Sequence, residues 1–176
     1  MSTCDYIGFP DQTKFETSSN SPILSSSPPI SFGFIDNNFA QIHIQGKGKT
    51  IPLAENDLWP SLQVKNGQTV SLIAGDIELN EGTIDSVRDM PLGTIIADKG
   101  QVNIASVASA GEVLIHKDGL DVSSFEKMGN ITLSKHSIIS AGSGQISVYG
   151  YLLKMNTSYI NAGQYTSEDQ YVRVLL

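Results

Sequence analysis

The sequence predicts an all-β chain, a parallel β-helix entered through a disordered N-terminal leader, and three observations carry that expectation. A five-residue phrase, glycine followed by a polar residue, an aliphatic, any residue and a second aliphatic, returns along the chain. Charged residues make up 16 % and aromatics 7 % of the 176 residues; against the roughly 25 % charge of an average soluble protein, this mixture suits regular β structure better than helices. Hairpin signals are confined to Asn66-Gly67 and Asp118-Gly119, and neither is flanked by two long alternating strands of equal length.

In chain order, residues 1–31 hold eight serines and four of the seven prolines, without helical or alternating periodicity, and read as the Ser/Pro-rich irregular leader. The single cysteine, Cys4, lies in it; one cysteine excludes an internal disulfide, and the thiol is expected to be exposed. From Phe32 the pattern changes to short apolar pairs punctuated by glycine, asparagine or aspartate, so residues 32–176 are the expected coils. The phrase occurs at Gly75–Leu79, Gly100–Ile104, Gly111–Ile115, Gly129–Leu133 and Gly144–Val148, and at Ala40–Ile44 with alanine in the glycine slot. Side chains alternate across a strand, so each phrase offers two aliphatics to one face, while its glycine permits a sharp corner before it. A wall so short cannot bury its face alone, but walls stacked rung on rung can. The expected core is therefore Ile77, Leu79, Val102, Ile104, Val113, Ile115, Ile131, Leu133, Ile146 and Val148.

The net charge of −7 and the scatter of single Lys and Arg residues leave no basic stripe for phosphates, which argues against a nucleic-acid partner. No stretch reaches the roughly 18 apolar residues of a membrane helix. The first thirty residues lack the charged start and apolar run of a secretory signal.

Several short patterns invite a chemical reading. Gly46-Lys47-Gly48-Lys49-Thr50 ends like a phosphate-binding loop, but His43 stands where that loop needs glycine and Ile51-Pro52 opposes the following helix, so a corner loop is expected. Ser124-Phe125-Glu126-Lys127 has the serine-to-lysine spacing of acyl-transfer enzymes without their companion motifs; the one short helical spell expected spans about Ser123 to Met128. His43, His116 and His136 are isolated surface histidines with no metal-ligand spacing. Asp76, Glu78, Asp85, Arg88 and Asp89 form an acidic neighbourhood that matches no calcium loop. Tyr149, Tyr151, Tyr159, Tyr165 and Tyr171 gather near the C-terminus, where they either face sugars or proteins or close the end of the column. No catalytic, cofactor-binding or metal-ligating residue is assigned, and no cofactor is expected.

The order of phrases resembles the filamentous-haemagglutinin family of two-partner-secreted proteins, particularly the large cyanobacterial group. The matching stretches are Phe32-Gly33-Phe34, Ile42-His43-Ile44-Gln45-Gly46, the run Leu62 to Ile77 with its Gly75-Asp76-Ile77 corner, and Gln101 to Val113 with Ala105-Ser106-Val107-Ala108 and Gly111-Glu112-Val113. Gly129–Leu133 and Ile138–Ile146 are similar to the coils that follow, so the resemblance covers about residues 32–163. It implies a right-handed parallel β-helix, passage through an outer-membrane transporter barrel, and a non-enzymatic, secreted or cell-surface adhesin that touches a host or neighbouring cell, glycans included. The family's N-terminal cap finds no counterpart before Phe32, and its passengers continue for hundreds of residues, so the chain reads as a fragment of one. Two alternatives stand beside this: a carbohydrate-active β-helix enzyme with a calcium-assisted carboxylate site, and a truncated remnant without function.

Overall fold

The computed structural model describes residues 1–16, 27–36, 39–45, 62–80, 94–135, 137–162 and the backbone of 172–175, and these residues are all-β. Three four-stranded sheets are wholly parallel. Sheet C pairs β4 (Ile42–Gln45), β7 (Ile77–Asn80), β12 (Asn130–Leu133) and β15 (Leu152–Met155). Sheet D pairs β5 (Leu62–Gln63), β8 (Thr94–Ile96), β13 (Ile138–Ser140) and β16 (Tyr159–Asn161). Sheet A pairs β6 (Thr69–Ala74), β9 (Gln101–Ser106), β14 (Gln145–Tyr149) and β17 (Val172–Leu175). The chain visits C, D and A in that order four times, which fits a β-helix-like fold.

Registry shows why the phrase repeats. Ile42, Ile77, Ile131 and Leu153 stack down sheet C, Ile95 and Ile139 down sheet D, and Val70, Val102 and Ile146 beside Leu72, Ile104 and Val148 down sheet A. Their inward side chains form one cluster in which Leu72, Leu79, Val102, Ile104, Ile131, Leu133, Ile139 and Ile146 are wholly buried. Each such side chain contributes roughly 1.5–3 kcal/mol over its exposed state. Among the expected core residues, Ile77, Leu79, Val102, Ile104, Ile131, Leu133, Ile146 and Val148 lie in this cluster.

The corners from sheet D to sheet A are built alike. Three turns close with Gln68 N–H donating to Lys65 O, Gly100 N–H to Ala97 O and Gly144 N–H to Ala141 O. A Cβ at Gly100 would be built into the Gln68 carbonyl oxygen, and one at Gly144 into that of Gly100, so these corners stack backbone on backbone. In the first turn the third residue is Gly67 at φ 78°; in the second it is Lys99 at φ 55°. A left-handed conformation costs a residue with a Cβ roughly 1–2 kcal/mol, and Lys99 accepts that cost where glycine would not meet it.

A fourth sheet, B, is antiparallel. It orders β11 (Gly119–Asp121), β10 (Gly111–His116), β3 (Ser31–Phe34), β1 (Tyr6–Gly8) and β2 (Lys14–Glu16). Its inner face meets the outer face of sheet A: Ile73, Ala105 and Tyr149, in register on A, form a second core with Phe34, Val113, Leu120 and Cys4, against which Phe32 and Ile7 pack. Phe34 sets edges against Phe39 and Phe125 at centroid distances of 5.7 and 6.0 Å. Sheet A is thus covered on both faces, which is why β6 and β9 end in continuous buried runs instead of alternating. Residues 1–3 extend the edge of sheet A, Thr3 N–H donating to Ile73 O and Ile73 N–H to Met1 O, both at 3.1 Å.

Three expectations are corrected here. Where described, the leader is not irregular: β1, β2 and the start of β3 are paired strands, too short to show periodicity and recognisable only through their tertiary partners. Residues 17–26 lie outside the described residues. Gly111–Ile115 is not a wall of the parallel column; it pairs antiparallel with β3 and, through a two-residue loop, with β11, so Asp118-Gly119 does mark a hairpin. Val113 is buried in the second core and Ile115 is 36 % exposed at its margin. Cys4 is buried beneath sheet B, not exposed.

Burial is the largest influence on the Cys4 thiol and pushes its pKa above the ordinary value of 9.0, against the opposing hydrogen bond with Ser2. The folded state therefore keeps the proton, and the stability this carries is present below the unfolded thiol's pKa and lost as pH rises through the folded one. Iodoacetamide labelling at pH 8 is expected to be slow in the native chain and at least about tenfold faster in urea, as thiolate access requires. Equal rates by mass spectrometry would contradict the burial.

Candidate functional site

The structure disperses the sequence candidates. His43 projects outward from β4 between buried Ile42 and Ile44, as alternation requires, and its Nε2 lies 2.7 Å from Asn80 Nδ2. Asn80 Nδ2 also donates to Glu78 Oε1 at 3.1 Å, so Glu78 belongs to a polar row on the outer face of sheet C. Asp76 serves the corner between sheets A and C, where its Oδ1 accepts the Asn130 N–H at 2.8 Å. Asp85, Arg88 and Asp89 lie outside the described residues, as do Gly46–Thr50, His136, Tyr165 and Tyr171. Among the described residues no group of His, Cys, Asp and Glu is arranged to hold a metal ion.

Ser124 sits in a turn and not in the short helix expected there. Its Oγ accepts the Glu112 N–H and donates to Glu112 O, each at 2.8 Å, tying the segment after β11 to β10. Ser109 Oγ accepts the N–H groups of Glu126 and Lys127 at 3.0 and 3.1 Å. These hydroxyls complete backbone hydrogen bonding that a loop would otherwise leave open. Asp121 does the same for Ser123: hydrogen bonds from the Ser123 backbone, then its side chain, hold the Asp121 carboxyl below the usual range.

The tyrosines divide. Tyr149 is buried between sheets A and B, its hydroxyl accepting the Leu120 N–H at 3.4 Å, so it is a pillar and not a ligand face. Tyr151 and Tyr159 are 73 % and 64 % exposed. With Leu152 and Met155 they mark β15 and β16, the outermost strands of sheets C and D, and a notch of about 490 Å³ beside them is lined by Ala108, Met128, Gly150 and Tyr151 together with Glu126 and Lys127. Among the described residues these are edge strands that carry exposed apolar side chains.

The outward face of sheet A carries a second surface, which sequence reading missed because its residues are far apart in the chain. Thr69, Gln101 and Gln145 form one row on it, and Ser71, Asn103 and Ser147 the next. The loop between β10 and β11 lies against the first row, with Gln101 Nε2 donating to Lys117 O at 2.9 Å and Gln145 Nε2 to Asp118 O at 3.2 Å. A groove of about 370 Å³ follows, floored by Gly67, Gly100 and Gly144 and flanked by Lys99 and Lys117. On the outer side of sheet B, Tyr6 lies over Gly33, Lys14 Nζ stands 4.0 Å from the Tyr6 ring centroid, and Ser31 Oγ donates to Glu112 at 2.6 Å.

A family model described as the TPS secretion domain matches residues 1–164. The match includes residues 1–31, in agreement with the place of β1 to β3 in the fold and against the absence of any counterpart before Phe32. No curated protein and no solved structure matches the chain.

Proposed function

Since the chain belongs to the TPS secretion domain family, and is therefore a two-partner secretion substrate exported across the outer membrane by a transporter, we propose that it is the non-catalytic, adhesive module of such a passenger. In this reading the parallel sheets wind as a right-handed β-helix, sheet B clasps its first coils, and the outer rows meet a host or neighbouring-cell surface, glycans included. The observation that supports it is the fourfold return of the chain through sheets C, D and A, a column whose inward face is consumed by packing and whose outward residues, where sheet B does not cover them, are left for contact. A binding module needs that division; bond-making chemistry needs converging reactive groups, and the family is a secretion and adhesin family and not an enzyme family.

The test places the 176-residue chain behind a secretory signal and co-expresses it with its genomically paired outer-membrane transporter. The chain is expected in the medium with the transporter and in the periplasm without it, and the exported material is expected to be retained on cells or glycan-coated surfaces while releasing no sugar from them. Export that ignores the transporter, or exported chain that adheres to nothing, would overturn the reading.

A further inference from the structure

We propose that the groove between the glycine corners and the β10–β11 loop binds an acidic sugar, a hexuronate-type residue whose carboxylate meets Lys99 and Lys117. This rests on the adhesive reading above and names a ligand class for it.

Charge is the first argument. The chain carries a net charge of −7, yet the groove is lined by two lysines and no acidic residue. Among the described residues neither amine has a hydrogen-bonding or ion-pair partner. Two unpaired ammonium groups beside one cleft attract an anion.

Backbone is the second. Lys99 is held at φ 55° in a turn whose counterpart one coil earlier places Gly67 at φ 78° in the same position. The fold keeps an unfavoured conformation there and gains the cation beside the groove, an outlier of the kind that collects at binding sites.

Shape and polarity select the anion. Gly67 lines the groove with nothing within 4 Å of where its Cβ would stand, which leaves room for a pyranose ring to approach the backbone. The carboxamides of Gln101 and Gln145 each donate an N–H to a loop carbonyl and keep oxygens that accept sugar hydroxyls, and the Thr69 hydroxyl stands in the same row. The lining is mostly polar, with no large apolar side chain in it to anchor a peptide.

Calorimetric titration of the whole chain with trigalacturonate is the test, beside neutral maltotriose and hexaglutamate. Saturable binding of trigalacturonate alone is expected, weakening with added salt. Lys99→Gly and Lys117→Ala are each expected to weaken it about threefold to tenfold, as befits a charged contact at an open site. Lys99→Gly should melt no lower than the parent, because glycine suits the left-handed turn, so its weaker binding cannot be assigned to unfolding. No binding of trigalacturonate, binding unchanged in both variants, or equal binding of hexaglutamate would overturn the proposal, the last making the groove a site for acidic peptides. Since the titration needs no transporter, failure here with export and surface retention intact overturns the sugar assignment alone.

Discussion

Replacing Ile104 with aspartate is expected to abolish the folded state, with no cooperative melt remaining at 25 °C. Ile104 is wholly buried at the centre of the column, stacked between Leu72 and Val148 in register. The substitution removes roughly 2–3 kcal/mol of apolar burial and places a carboxylate where no cation or donor can meet it, a further cost of several kcal/mol. Together these approach the 5–15 kcal/mol by which ordinary domains are stable. Ile115 supplies the control. It stood beside Ile104 in the expected core but lies at the exposed margin of sheet B, so Ile115→Asp is expected to cost about 1 kcal/mol, as substitutions near the surface do. Circular-dichroism melts of the two variants read the difference, and a cooperative melt retained by Ile104→Asp would contradict the inward assignment of sheet A.

Gly100→Val is expected to split the coils at the corner between sheets D and A. Its Cβ would be built into the Gln68 carbonyl oxygen, which itself accepts the Gln101 N–H. Neighbouring strands lie about 4.8 Å apart and cannot widen locally without losing rungs, so β6 and β9 are expected to lose several hydrogen bonds and the chain about 3 kcal/mol or more. Gly67→Ala separates sterics from conformation. Nothing lies within 4 Å of a Cβ there, but φ is 78°, and the expected cost is only about 1 kcal/mol. Urea titration gives the two costs, and hydrogen exchange should show lost protection in β6 and β9 for the valine variant alone. Equal stability in the two variants would dispose of the stacked-corner account.

The parallel column was legible because its signal is local and repeated. Four of the five glycine-led phrases, and Ala40–Ile44 with them, sit in sheets C and A with their aliphatics inward. The fifth misleads for a physical reason: an aliphatic pair behind a glycine describes any half-buried strand, and nothing local in Gly111–Ile115 records that its neighbours run antiparallel. The N-terminal strands of sheet B were illegible. Tyr6–Gly8 and Lys14–Glu16 are three residues each, shorter than any periodicity can show, and Ile73, Ala105 and Tyr149 look like the tails of inward strands until a second layer covers them. The groove was hidden likewise, since Lys99, Gln101, Lys117 and Gln145 become neighbours only through coil stacking and the hairpin.

Sheet B joins strands from either side of the first two coils: β3 precedes the column, yet its partner β10 follows β9, and the Ser31–Glu112 hydrogen bond spans 81 residues. A chain emerging from a pore in either direction therefore cannot finish this sheet until the intervening coils have also come through. Closing so long a loop before those coils exist would cost entropy with few contacts in return. Sheet B can therefore close over the first coils only after the hairpin of β10 and β11 is present, so its completion follows theirs in sequence of assembly.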